Sequence, residues 1–234
     1  MPTAVFVDAG FFLKRFAKVY RNKDRSDPAV VARTLHEMAL GHLSQRDSAD
    51  RRDLYRIFVY DCLPLEKKAE MPVSRMAIDF SQSDTAKFRL QLHRELKCLR
   101  KVALRLGRLQ DTRNWRLKAP ILRSLLKGNH DFHTLTDADF VYDVRQKGTD
   151  MRIGLDIASV SYKKQVDQIV LVAGDADFVP AAKLARREGI DFILDPMWGP
   201  IADDLHEHID GLRSTCPRPL VVQKSELTVV GGAI

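Results

Sequence analysis

The sequence predicts an α/β fold: a mostly parallel central sheet flanked by helices, with a basic segment inserted in its middle. Three observations carry this. Short continuous apolar runs at 3–8 (TAVFVD) and 169–173 (IVLVA) have the pattern of strands buried on both faces. Apolar runs alternate along the chain with helical patterns, which calls for parallel strands joined by crossover helices. With 234 residues, 45% hydrophobic and 29% charged, the chain can bury a core, so wholesale disorder is excluded.

In order along the chain, a strand at 3–8 ends in Asp8, and a helix follows over 11–20. Asp27-Pro28 marks a helix start, with Pro at the first helical position, and Val30, Val31, Leu35, Met38 and Leu43 follow at helical spacing. A second strand is expected over 54–60, running into Asp61 and a Pro-containing loop over 62–72. Residues 85–99 read as a basic amphipathic helix. The alternation at 102–106 reads as a strand, on which 114–117 could pair back. Residues 119–139 fit no single element, with Gly128-Asn129 marking a turn. Short strands are expected over 140–144 and 191–194. Helices are expected from a Thr149 cap to about 162, over 179–188 and over 200–212. One domain over 1–216 results, with the basic insert at about 62–140 and a tail over 217–234.

The acids concentrate where such sheets form sites, outside the carboxyl ends of their strands. Asp8 ends the first strand, Asp175 and Asp177 follow IVLVAG, and Asp150 opens a helix. Ionised carboxylates sharing a cleft repel one another unless a cation intervenes. Oxygen ligands without His or Cys point to Mg²⁺ or Mn²⁺ rather than Zn²⁺. The competing expectation is that strand-end acids only cap helices and turns. That reading is preferred for Asp61 and Asp195. Asp156 lies six residues after Asp150, about 120° around the helix, and is expected to support the site or the fold rather than share an ion.

Three segments carry a family resemblance: AVFVDAG (4–10), QKGTDMRIGLDIA (146–158) and IVLVAGDADFVPAAKLARREGIDFIL (169–194). In that order they resemble the NYN domain, a branch of the PIN-like metal-dependent ribonucleases. The strand running into GDADF is the most specific piece. The resemblance implies a Rossmann-like PIN/NYN fold, with Asp8, Asp150, Asp175 and Asp177 holding Mg²⁺ or Mn²⁺ and orienting the attacking water for RNA hydrolysis. Many relatives have an Asn soon after the first-strand Asp, where this chain reads Ala9-Gly10-Phe11-Phe12.

The net charge is +7. Residues 87–127 hold thirteen Lys and Arg against Glu95 and Asp111, a net +11 that leaves −4 for the rest of the chain. A basic segment beside an acidic core suits a nuclease, one collecting phosphates and the other a cation. Lys147, three residues before Asp150, is the best single candidate for RNA contact. Arg152 and Arg187 are further candidates, as is Trp115, which could stack on a base or serve as core. Leu90, Leu92, Leu96 and Leu99 supply a packing stripe within the basic helix.

Cys62, Cys98 and Cys216 show no C-x-x-C spacing, so idle thiols in a reducing cytoplasm are expected. The opening residues lack a basic stretch ahead of the apolar run, and Asp8 interrupts it, unlike a signal peptide. No apolar stretch is long enough to span a bilayer. The apolar tail permits a homodimer. No G-x-S-x-G, P-loop or G-x-G-x-x-G occurs, which removes the acyl hydrolase, P-loop and dinucleotide readings. Two rivals to the ribonuclease stand: a non-catalytic RNA- or protein-binding regulator on the same fold, and a nucleotide-sugar transferase using Asp175-Ala-Asp177 as D-x-D.

Overall fold

The structure is a computed structural model that describes residues 2–44 and 52–219. Its strands are β1 (Pro2–Asp8), β2 (Asp53–Cys62), β3 (Lys68–Glu70), β4 (Ala77–Asp79), β5 (Val102–Leu117), β6 (Phe140–Lys147), β7 (Gln168–Val172), β8 (Asp191–Asp195) and β9 (Gly211–Leu212). The helices are α1 (Ala9–Val19), α2 (Pro28–Gly41), α3 (Asp84–Cys98), α4 (Ala119–Leu126), α5 (Thr149–Tyr162), α6 (Val179–Arg187) and α7 (Asp203–His206).

Among the described residues the main sheet has seven strands in the order β6-β5-β2-β1-β7-β8-β9. All its pairings are parallel except β5–β6. Alternation along β1 explains the two-layer core. Val5 and Val7 join a cluster with Phe12, Phe16, Leu35, Leu92 and Leu96 from α1, α2 and α3. Ala4 and Phe6 point the other way, to Ile153, Ile157 and Ala182 from α5 and α6. β1 and β7 therefore lack a polar face, which is why their sequences read as unbroken apolar runs.

From β1 the chain builds outward through β2 to β5, then returns to place β7 on the other side of β1. The strand order reverses between β1 and β7. The crevice at the carboxyl ends of two such strands is where open α/β sheets bind ligands.

Beyond Gly107, the last β5 residue paired with β2, β5 runs on past the sheet edge and pairs antiparallel with β6, from Arg108↔Lys147 to Leu117↔Phe140. At about 3.3 Å per residue this two-stranded ribbon projects roughly 30 Å beyond the carboxyl edge. The β3–β4 hairpin braces it: Lys67 Nζ donates to Asp111 (2.6 Å) and to the Tyr142 hydroxyl (2.8 Å). These bonds hold the Asp111 carboxyl down at about 2.

Several expectations are corrected. Residues 114–117 do not fold back on 102–106; they continue the same strand, and β6 is the partner. The loop expected over 62–72 contains β3. Thr149 does not cap α5. Gly148 holds that position at φ +78°, which favours glycine, and Thr149 is the first helical residue. The helix expected over 200–212 shrinks to four residues. The Asp210 carboxylate accepts from the Phe192 backbone (2.9 Å) and Arg186 Nε (2.8 Å), drawing the chain alongside β8 as β9. The 119–139 segment holds α4 and two 3-10 turns. Within the basic insert expected over about 62–140, α3 packs into the core and the first half of β5 pairs with β2. Of the tail expected over 217–234, residues 220–234, from which the homodimer was expected, lie outside the described residues.

Candidate metal centre and nucleic-acid cleft

Asp8 is the last residue of β1 and caps α1, accepting from the Phe11 amide at 3.1 Å. It is half-buried, and its pKa is raised: burial dominates, Asp150 adds repulsion, and the Phe11 and Gly10 amides and Lys14 oppose the shift. Capping and a strained charge thus coexist in one side chain. Asp150, in the first turn of α5, is raised by partial desolvation and then by Asp175 and Asp177. Asp175 lies beyond β7 and accepts from the Asp177 amide at 3.3 Å. Asp150 thus feels both sides of the β1–β7 crevice, repelling Asp8 on one and being repelled by Asp175 and Asp177 on the other.

Two contacts tie the crevice walls together. The Phe11 ring lies against Gly174, where an added Cβ would come within 2.7 Å of it, so the GDAD loop sits tight on the start of α1. Above Gly10, the point a Cβ would occupy lies 3.2 Å from Asp8 Oδ1 and 3.6 Å from Gln146 Oε1. A carboxamide from β6 therefore stands close to Asp8, although the sequence after Asp8 supplies none.

The other strand-end acids have structural jobs. Asp61 is buried, ion-paired to Arg89 and bonded to His93 (2.8 Å). Despite desolvation, the largest influence on it, those partners hold its pKa below the usual carboxylate range. Asp195 is buried and accepts from His42 (2.8 Å), the Met197 amide (2.7 Å) and Ser214 (2.8 Å). Asp156 accepts from the Tyr60 hydroxyl (2.7 Å) and Arg105 Nε (3.2 Å).

The donor set suits a hard cation, being all carboxylate. It is not a preformed cage: among the described residues no group of three His, Cys, Asp or Glu side chains is placed to hold an ion. Mg²⁺ characteristically keeps several waters and takes one or two carboxylates plus phosphate oxygens, so an open acidic cleft is compatible with it.

Residues 108–206 match the NYN domain family. Over that segment the chain is similar to an NYN domain. A solved structure from Vibrio parahaemolyticus, of a protein of unknown function, is 14% identical over 90% of each chain, with a TM-score of 0.44. No curated protein matches the chain. The NYN match takes in Asp150, Asp175 and Asp177; Asp8 lies before it and joins through the β1–β7 pairing.

Lys147 ends β6 and Arg152 lies in the first turns of α5; burial raises the Cys62 thiol, and Arg152 is close enough to offset part of that rise. Lys147 and Arg152 both sit at the edge of the sheet that carries the acids. Arg187 ends α6 and lines a surface hollow with Asp191, the first residue of β8; that is the opposite edge of the sheet, away from the acids. Trp115 is half-buried, donates Nε1–H to the Glu70 carbonyl (3.0 Å), and packs edge-on to Tyr142 at 5.1 Å. It fastens the ribbon to the β3–β4 hairpin. Sequence reasoning missed Gln146 and Lys14. Gln146 opens the QKGTD segment, a detectable signal; Lys14 reaches Asp8 by helix geometry that its own neighbours do not betray. Among the described residues no helix is long and apolar enough to cross a membrane.

Proposed function

We propose that this chain is a divalent-cation-dependent ribonuclease working in the β1–β7 crevice. The observation that carries the reading is that Asp8 and Asp150 are pushed toward protonation, partly by neighbouring acids, at the topological switch point of the sheet. Asp8, Asp150, Asp175 and Asp177 would hold Mg²⁺ or Mn²⁺. When bound, the cation would supply charge neutralisation and an acidified water for attack on a phosphodiester. The chain's own residues do the rest. Gln146 presents an amide beside Asp8 for orienting the reacting phosphate or water. Lys14, Lys147 and Arg152 offset the negative charge of the approaching strand. Exposed Arg108, Arg113 and Lys118 on and next to the ribbon gather the phosphate backbone ahead of the cleft.

The absence of a three-acid cage among the described residues favours one rival, an RNA-binding regulator without turnover. Incubation of purified protein with single-stranded RNA and Mn²⁺ separates them. The ribonuclease cuts, and EDTA stops it. A regulator retains salt-sensitive RNA binding through EDTA treatment and never shortens the strand.

A further inference from the structure

A cavity of about 400 Å³ opens beside the acidic cleft, between the end of β2, the β3–β4 hairpin, the start of α3 and the ribbon. That is within the range of small-ligand pockets. Leu63, Phe80 and Tyr142 give it apolar and aromatic walls, while Thr85, Arg89 and Gln146 bring polar groups to it. Gln146 is shared with the acidic cleft through its oxygen above Gly10.

We propose that this cavity receives one unpaired nucleobase of the RNA strand, next to the phosphate handled by the acids; this rests on the ribonuclease reading above. Three features select a base. The walls are preorganised: Phe80 packs on Tyr142 at 4.8 Å and on Trp115 at 6.0 Å, and the Tyr142 hydroxyl is fixed by Lys67 and Asp111 (2.9 Å). A rigid aromatic wall suits the flat face of a base. The one cation among the residues named is neutralised, because Arg89 is ion-paired to buried Asp61. The interior therefore favours a neutral planar group over a phosphate. Guanidinium, hydroxyl and carboxamide groups together offer donors and acceptors for the edge of a base, the pattern that reads unstacked nucleotides. The cavity then makes the enzyme selective for the nucleotide on one side of the cut.

The test titrates each of the four nucleoside 5′-monophosphates, and ribose 5-phosphate as the base-free control, into wild type, Leu63→Trp and Thr85→Trp. Both substitutions place bulk at the cavity from exposed positions. Wild type is expected to bind at least one nucleotide more tightly than ribose 5-phosphate, and each filled variant to lose roughly tenfold or more of that affinity with its melting temperature kept. In parallel, cut sites mapped on a randomised RNA should show a base preference at one position that the variants flatten. Equal binding of ribose 5-phosphate and all four nucleotides overturns the proposal, as does unchanged nucleotide affinity in two folded variants. RNA cutting without base preference removes the cavity's role and leaves the ribonuclease. Base-selective binding without any cutting does the reverse.

Discussion

Asp175→Asn is expected to lower RNA cleavage by roughly 10²- to 10³-fold, the size seen when one group stabilising transition-state charge is removed. The substitution isolates charge from structure. Asp175 caps the turn ahead of α6 by accepting from the Asp177 amide, and an Asn oxygen accepts equally well. The GDAD loop and its seat against Phe11 should persist, and RNA binding at low salt should change little if the basic ribbon gathers the strand as proposed. Single-turnover cleavage of a labelled single-stranded RNA in Mn²⁺ gives the rate, and thermal melting gives the control. Equal cutting by the variant would trace the activity to a contaminant or to another site.

Asp195→Ala is expected to cost about 3–5 kcal/mol of stability, the loss typical when one partner of a buried polar network is removed. Asp195 is fully buried at the end of β8 and serves three donors from three places: His42 after α2, the Met197 amide in the following turn, and Ser214 beyond β9. Alanine strands all three in a site closed to water. The network also reaches Cys216, whose thiol is pushed up to about 12 by burial and then by Asp195. Urea unfolding should show a lower midpoint with an unchanged slope. Asp195→Asn keeps acceptor capacity and should fall between the two. A loss under about 1 kcal/mol for alanine would mean the network contributes little.

The contrast between Asp195 and Asp175 shows how far the sequence could be read. Both are acids at a strand end, yet one is sealed under the chain and the other exposed. Local pattern reveals that β7 and β8 are buried strands, because both faces must be apolar, and so places both acids at one edge. Exposure depends on what folds over each end, which is a long-range matter. The same limit explains the ribbon. Residues 108–117 are mostly half-exposed and polar, so nothing local tells that they continue β5 outward rather than turn back. The helix expected over 200–212 failed because Asp210, unremarkable in sequence, finds the Phe192 amide and Arg186 in space. The sequence left Trp115 open between base stacking and packing; in the fold it packs on Phe80 and Tyr142 and bonds the Glu70 carbonyl, contacts that no local pattern announces. Gln146 acquires meaning only once β6 brings its amide over Gly10.

The central claim is that four carboxylates share a crevice where their mutual repulsion calls for a cation, and the melting temperature of Asp150→Asn against wild type tests it most directly. Asp150 is raised in the folded state, so the folded chain holds its proton more tightly than the unfolded one. Wild-type stability must then decline as pH climbs from the ordinary carboxylate range through the raised value, and stay lower above it. Near neutral pH without divalent cations, Asp150→Asn should therefore melt higher than wild type, by roughly 1–3 °C. The gap should vanish at acid pH, and Mn²⁺ should raise wild type while leaving the variant nearly unmoved. A variant that melts lower than wild type at neutral pH, with Mn²⁺ shifting neither protein, would contradict the shared acidic crevice.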